Sequence, residues 1–211
     1  MAEAHKTNTI SAQRDFRLSD YAPTYGALAA LILLLLANII FTPNFAAFDN
    51  FRNILVQATP TMLVAVGMTF VIATGGIDLS VGSVMAIASA VAAVSLDYGA
   101  VPAVAIGLTV ATALGAFNGA LIAGFKIQPI IVTLALLIAG RGIAQVISSG
   151  GQLIPFSNPT FEFLGQGVIG GIPFQIILLV LTVVLAIFFL RNTIFGRYVI
   201  AVGGNEEAAR L

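Results

Sequence analysis

The chain has 211 residues, 59% of them hydrophobic and 9% charged, and its mean hydropathy of +1.04 exceeds what a soluble domain could bury inside one core. Nine Lys and Arg balance nine Asp and Glu, which leaves no basic face for a nucleic-acid backbone. The absence of cysteine removes disulfides, thiolate metal sites and iron–sulfur clusters, and the single histidine, His5, lies in a polar tail, so no metal or cofactor is expected.

Residues 1–20 are polar and carry Lys6, Arg14 and Arg17. The first apolar run, 25–41, is too long and too far from the N-terminus for a cleaved signal and reads as a membrane helix. Further runs follow at 54–74, 80–96, 101–125, 129–147 and 174–190, with Gly, Pro, Asn or Asp at the joints. A hydrocarbon layer of ~30 Å is crossed by about 20 apolar residues in a helix, so the expected fold is an all-α polytopic membrane protein with about six transmembrane helices. It divides into a tail (1–20), a transmembrane domain (21–190) and a polar C-terminal segment (191–211).

Lys and Arg in short loops are retained on the cytoplasmic side during insertion. With the N-terminus inside, Lys6, Arg14, Arg17, Lys126, Arg191, Arg197 and Arg210 are cytoplasmic, Arg52 is outside and Arg141 falls within a span. The same orientation puts the longest loop, 148–173, outside as a compact lid.

Lipid-embedded helices associate through small residues that let backbones approach. The fourth run carries Ala111, Gly115, Gly119 and Ala123 on one face, and the third carries Gly82, Ala86 and Ala90, so both faces are expected to pack. Polar groups within spans are costly unless they meet a partner or a wet path. Arg141 lies roughly 18 Å along the fifth run at 1.5 Å per residue, and two readings stand open: it reaches out to the interface, or it lines an outer vestibule beside Gln145. Gln57, Thr59, Thr61, Thr69, Asn118 and Thr133 either hold helices together or line a path for a hydroxyl-rich solute. Pro60 is expected to bend the second helix.

Between the second and third runs stands Gly75-Gly76-Ile77-Asp78-Leu79-Ser80-Val81-Gly82. The glycines permit a sharp stop, and Asp78 or Ser80 can cap the next helix; an interrupted helix can also present its backbone dipoles to a cavity, as broken helices do in transporters. At the C-terminal end, Gly203-Gly204 is expected to form a turn and Asn205 to cap a short helix. Glu206 and Glu207 would stand at that helix's positive end, and Glu206 would pair with Arg210 four residues on.

The stretch Gly75 to Ser83 resembles the signature of the ribose/xylose/galactose-type ABC permease family. Asn118-Gly119, Lys126, Pro129, Val132-Thr133-Leu134, Arg141-Gly142 and Ser149-Gly150-Gly151 are similar to the family's later landmarks in order, as are Gly196-Arg197-Tyr198 and residues 201–211. The resemblance implies a bacterial inner-membrane permease that forms the path for a monosaccharide. It also implies that Gly203, Gly204, Asn205, Glu206, Glu207 and Arg210 belong to a segment docking on a separate ATP-binding subunit. The partners implied are that subunit, a second copy of the permease and a sugar-binding protein outside, in addition to membrane lipid. The chain lacks any GxxxxGK[ST], so ATP is expected to be hydrolysed on another chain and no enzyme activity is expected here. Family members continue into further helices beyond the position of Leu211, so a fragment or truncated product that inserts without transporting is expected. The alternatives are a permease for branched-chain amino acids, a secondary transporter, for which Asp78 and Asp97 would be the carboxylates, and a membrane scaffold.

Overall fold

The computed structural model describes residues 22–205 and 207–210; the tail 1–20, Glu206 and Leu211 lie outside them. In chain order the helices are α1 (Ala22–Phe41), α2 (Phe48–Ala73), α3 (Val81–Val94), α4 (Ala100–Phe125), α5 (Pro129–Ile147), α6 (Pro159–Gln166), α7 (Phe174–Asn192) and α8 (Ile194–Gly204). An antiparallel ribbon of β1 (Val168–Ile169) and β2 (Ile172–Pro173) joins α6 to α7. Apolar runs become helices because a backbone in lipid has no water to bond with, and a helix satisfies its own N–H and C=O groups.

Four helices are long and apolar enough to cross a membrane: α2 and α4 with 26 residues, α5 and α7 with 19. The expected count of about six is not confirmed among the described residues, because the apolar stretch Tyr25–Phe41 and the 14-residue α3 are shorter. The chain falls into two compact units, Met1–Phe51 and Arg52–Leu211. In the first, the polar groups that close α1 are satisfied locally: the Asn38 amide donates to the Leu34 carbonyl (2.8 Å) and the Thr42 hydroxyl to Asn38 Oδ1 (3.3 Å).

Helix α2 begins at Phe48, six residues before the apolar run that predicted it, because its polar first turn carries Asp49 at the positive end of the helix. It runs through Pro60 without interruption. At its end the Gly75 amide donates to Ile72 O (2.9 Å) and the Gly76 amide to Val71 O (3.0 Å), with Gly75 at φ +75°. This is the pair of bonds that closes a helix around a left-handed residue, a conformation glycine adopts without a Cβ clash.

In the second unit α3 is the hub, packed on α4 and α5. The Ser83 hydroxyl reaches Leu136 O while Ala90 and Ala93 share a pocket with Ala144 and Ser148, so α3 and α5 run parallel. Ser80 meets Asn118, and the Ala88–Ala92 turn meets Gly107, so α4 runs antiparallel to α3. Ile87, Ala92, Ala100, Ala103 and Val132 form the buried apolar contact. A Cβ on Gly107 would lie 2.9 Å from Ala88 O, and one on Gly140 would lie 2.8 Å from Ser83 Cβ; both positions require glycine for the helices to touch. The predicted packing stripes are corrected here. Gly82, Gly115 and Gly119 have no neighbour within 4 Å of a built Cβ, because α4 packs on α3 through Ala100, Ala103, Gly107 and Asn118.

Candidate functional site

The segment between α2 and α3 enters the bundle in extended form. Residues 76–80 have no regular structure, and Ser80 is the residue before the first turn of α3. Its partner Asn118 lies seven residues before the end of α4 at Phe125, a depth of about 10 Å along that helix at 1.5 Å per residue. Leu136, bonded by Ser83, lies seven residues from the start of α5 at Pro129, again about 10 Å. Both neighbours therefore place the start of α3 well inside the bundle.

Four polar side chains meet at that point. Asp78 Oδ1 accepts the Ser80 backbone N–H (2.8 Å) and the Ser80 hydroxyl (2.6 Å), and Asn118 Nδ2 donates to Ser80 Oγ at 3.3 Å. The Ser83 hydroxyl is shared between Ser80 O (2.8 Å) and Leu136 O (3.0 Å). Ser80 and Ser83 are 1% exposed and Asn118 6%, so each polar atom depends on these partners. Of the two residues expected to cap α3, Asp78 carries the role by clasping Ser80; the Ser80 side chain makes no cap bond of its own. Ser83 was missed as a cross-link, although its position one turn after Ser80 was available in the sequence.

The residues expected along a path separate. Arg141 and Gln145, one turn apart on α5, line a pocket of about 520 Å³ together with α3 and the 148–161 segment. Gln57 is exposed on α2 and lines no part of that pocket, and Asn118 belongs to the buried cluster. Gln152, Phe156 and Phe161 complete the pocket wall. No periodicity marked them, because they belong to a loop and a short helix brought to α5 by tertiary structure. The loop is itself organised: Asn158 Oδ1 caps α6 by accepting the Thr160 and Phe161 amides at 3.1 and 3.2 Å.

The C-terminal segment differs from its expected form. Gly203 and Gly204 make no turn; they are the last residues of α8, which starts at Thr193, whose hydroxyl accepts the Gly196 amide (3.3 Å). The cap expected at Asn205 is present one step later, with its Oδ1 accepting the Ala208 amide (3.0 Å) above a single 3₁₀ turn, Ala208–Arg210. Glu207 is exposed; Glu206 and the Arg210 side chain lie outside the described atoms, and the expected pair with them. Helix α8 continues through the glycines because Gly203 abuts the end of α2, where a Cβ would overlap the Ala73 carbonyl oxygen. Phe195 meets Phe70 with ring centroids 6.3 Å apart.

A family described as "Branched-chain amino acid transport system / permease component" matches residues 50–211. The chain belongs to this permease family. It is 40% identical over 213 residues to the galactofuranose transporter permease protein of Escherichia coli strain K12, covering 96% of this chain and 61% of that protein. It is 36% identical over 210 residues to the ribose import permease protein of the same strain, covering 97% and 65%. The L-arabinose transport system permease protein of that strain is 40% identical over 189 residues, covering 89% and 57%. The chain thus spans about three fifths of the length of these relatives. No solved structure matches it. A multi-pass helical membrane permease is the class these observations share.

Proposed function

We propose that this chain forms the membrane path of an ATP-driven importer for a monosaccharide and is coupled to a separate ATP-binding subunit. The observation that carries this reading is the similarity to three sugar permeases over nearly the whole of this chain. It favours sugars over the branched-chain amino acids named in the family description. The N-terminus is cytoplasmic in this reading, which puts Lys126, Arg191 and Arg197 inside and the 148–173 loop outside. Gly75, Gly76, Asp78, Ser80 and Gly82 form the helix break, and Arg141 and Gln145 face the outer vestibule. Gly203, Gly204, Asn205, Glu206, Glu207 and Arg210 contact the ATPase. The contact of Gly203 with the end of α2 supports that last role, since it joins the segment to the start of the break. A second permease copy and an external sugar-binding protein complete the assembly.

Co-purification from detergent-solubilised native membranes tests this. A tagged chain, and a form extended over the remaining length of its relatives, are expected to bring down an ATP-binding protein identifiable by mass spectrometry, and Glu206→Lys to lose it. If the extended form brings down no ATPase, the importer reading falls.

A further inference from the structure

The pocket between α3, α5 and the 148–161 loop holds a polar set that the fold itself leaves unused. Arg141, Gln145 and Gln152 line it, and none of the three has a side-chain hydrogen bond or ion pair among the described residues. A guanidinium on an apolar helix without a carboxylate partner is costly in a membrane, and its five donors remain available. Ser89 and Ser148 also face the pocket, but their protons are committed to Ala86 O (3.0 Å) and Ala144 O (2.9 Å). Their oxygens therefore offer acceptor lone pairs only. Across from them Phe156 and Phe161 stand edge to face, 5.0 Å apart at 88°, and the pocket side of α3 is floored by alanines.

We infer that this pocket binds one monosaccharide at the loop-covered end of the path, an inference that rests on the importer reading and adds a site to it. Each sugar hydroxyl both donates and accepts, which matches a mixed set of guanidinium and amide N–H donors with amide and hydroxyl acceptors. The C–H face of the ring packs on Phe156 and the alanine floor. A volume of about 520 Å³ lies within the range of small-molecule sites, ~300–1,000 Å³. A branched-chain amino acid fits the chemistry poorly, because no Asp or Glu lines the pocket to meet its ammonium group. A simple anion would engage Arg141 and leave the glutamine and serine acceptors facing its own oxygens. Arg141 and Gln152 set orientation, and the 148–161 loop acts as wall rather than as passive cover.

The test is direct binding to the chain in lipid nanodiscs, read by saturation-transfer difference NMR, with D-ribose, L-arabinose, D-galactose and D-fructose as probes and L-leucine as the counter-probe. At least one sugar is expected to bind saturably and L-leucine not to bind. Gln152→Ala and Phe156→Ala, in the loop where insertion does not depend on them, are each expected to weaken that sugar about tenfold, or about 1.4 kcal/mol. Arg141→Lys is expected to weaken it as well, because a point charge replaces a planar fork. Saturable leucine binding, no saturable sugar binding, or sugar binding unchanged in both loop variants overturns the proposal. Failure here with an ATPase still co-purifying removes the site and leaves the importer reading standing. Sugar binding without any ATPase does the reverse.

Discussion

Gly140→Ala should separate α3 from α5 and destabilise the hub. The added Cβ would lie 2.8 Å from Ser83 Cβ, 3.0 Å from Ser83 Oγ and 3.3 Å from Ile87 Cδ1. Carbon atoms settle at about 3.5–4.0 Å, so the helices must part by about 0.7–1.2 Å. The Ser83 to Leu136 hydrogen bond, now 3.0 Å, would stretch beyond useful range. Overpacking costs about 1–3 kcal/mol and an interhelical bond in a membrane is worth about 0.6–1.7, giving about 2–4 kcal/mol together. Gly115→Ala is the control, since nothing lies within 4 Å of its Cβ, and it is expected within about 0.5 kcal/mol of the parent chain. Reversible unfolding in mixed micelles measures both. Ser83→Gly in the Gly140→Ala background should restore part of the loss, a non-additive recovery specific to residues in contact. A Gly140→Ala chain as stable as the parent, or an equal loss at Gly115, would refute the packing argument.

Ser80→Ala removes the hydroxyl between Asp78 and Asn118, and is expected to cost about 1–3 kcal/mol by leaving buried polar atoms unpaired; added to Asn118→Ala it should cost much less than the sum of the two, by the same unfolding assay. Gly203→Ala would overlap the Ala73 carbonyl, so α8 must lift, and hydrogen exchange at Thr74, Gly75 and Gly76 should accelerate while that of the α3–α4 contact stays unchanged. Asn158→Ala deletes the cap of α6, worth about 1 kcal/mol, and should speed exchange of the Thr160 and Phe161 amides about fivefold.

Apolar periodicity made the long helices legible, since such runs have only one way to satisfy their backbone in lipid. The fifth run coincides with α5, and the fourth differs from α4 by one residue at its start. The polar first turn of α2 was hidden because Asp49, Asn50 and Arg52 read as a loop by composition, yet all three are compatible with a helix N-terminus or interface. Small-residue stripes misled for a different reason: spacing shows that a face can pack closely but not what it packs on, and the faces at Gly115 and Gly82 stay open within this chain. Arg141 and Gln145 were visible as polar intrusions in a span. Their companions Gln152 and Phe156 were not, because a loop carries no period from which its placement could be read. At Gly203 the dipeptide favoured a turn, and only the closeness of the Ala73 carbonyl explains why glycine serves a helix there.

The length of α3 ties the break to the coupling segment. Fourteen residues rise about 21 Å, some 10 Å short of a hydrocarbon core of ~30 Å. That shortfall equals the depth at which Asn118 and Leu136 hold its first turn, so residues 75–80 cover the missing distance as extended chain inside the bundle. Extended backbone at that depth is tolerated only where protein or a wet cavity shields it, and Asp78 adds a carboxylate to be satisfied. The satisfaction comes from Ser80, which Asn118 fixes from α4. The other end of the same segment is fixed by Gly203 of α8 against Ala73. The segment is therefore held at one end by the bundle and at the other by α8. A displacement of α8 has to be absorbed between them, at Gly75 and Gly76, before it can reach Asp78.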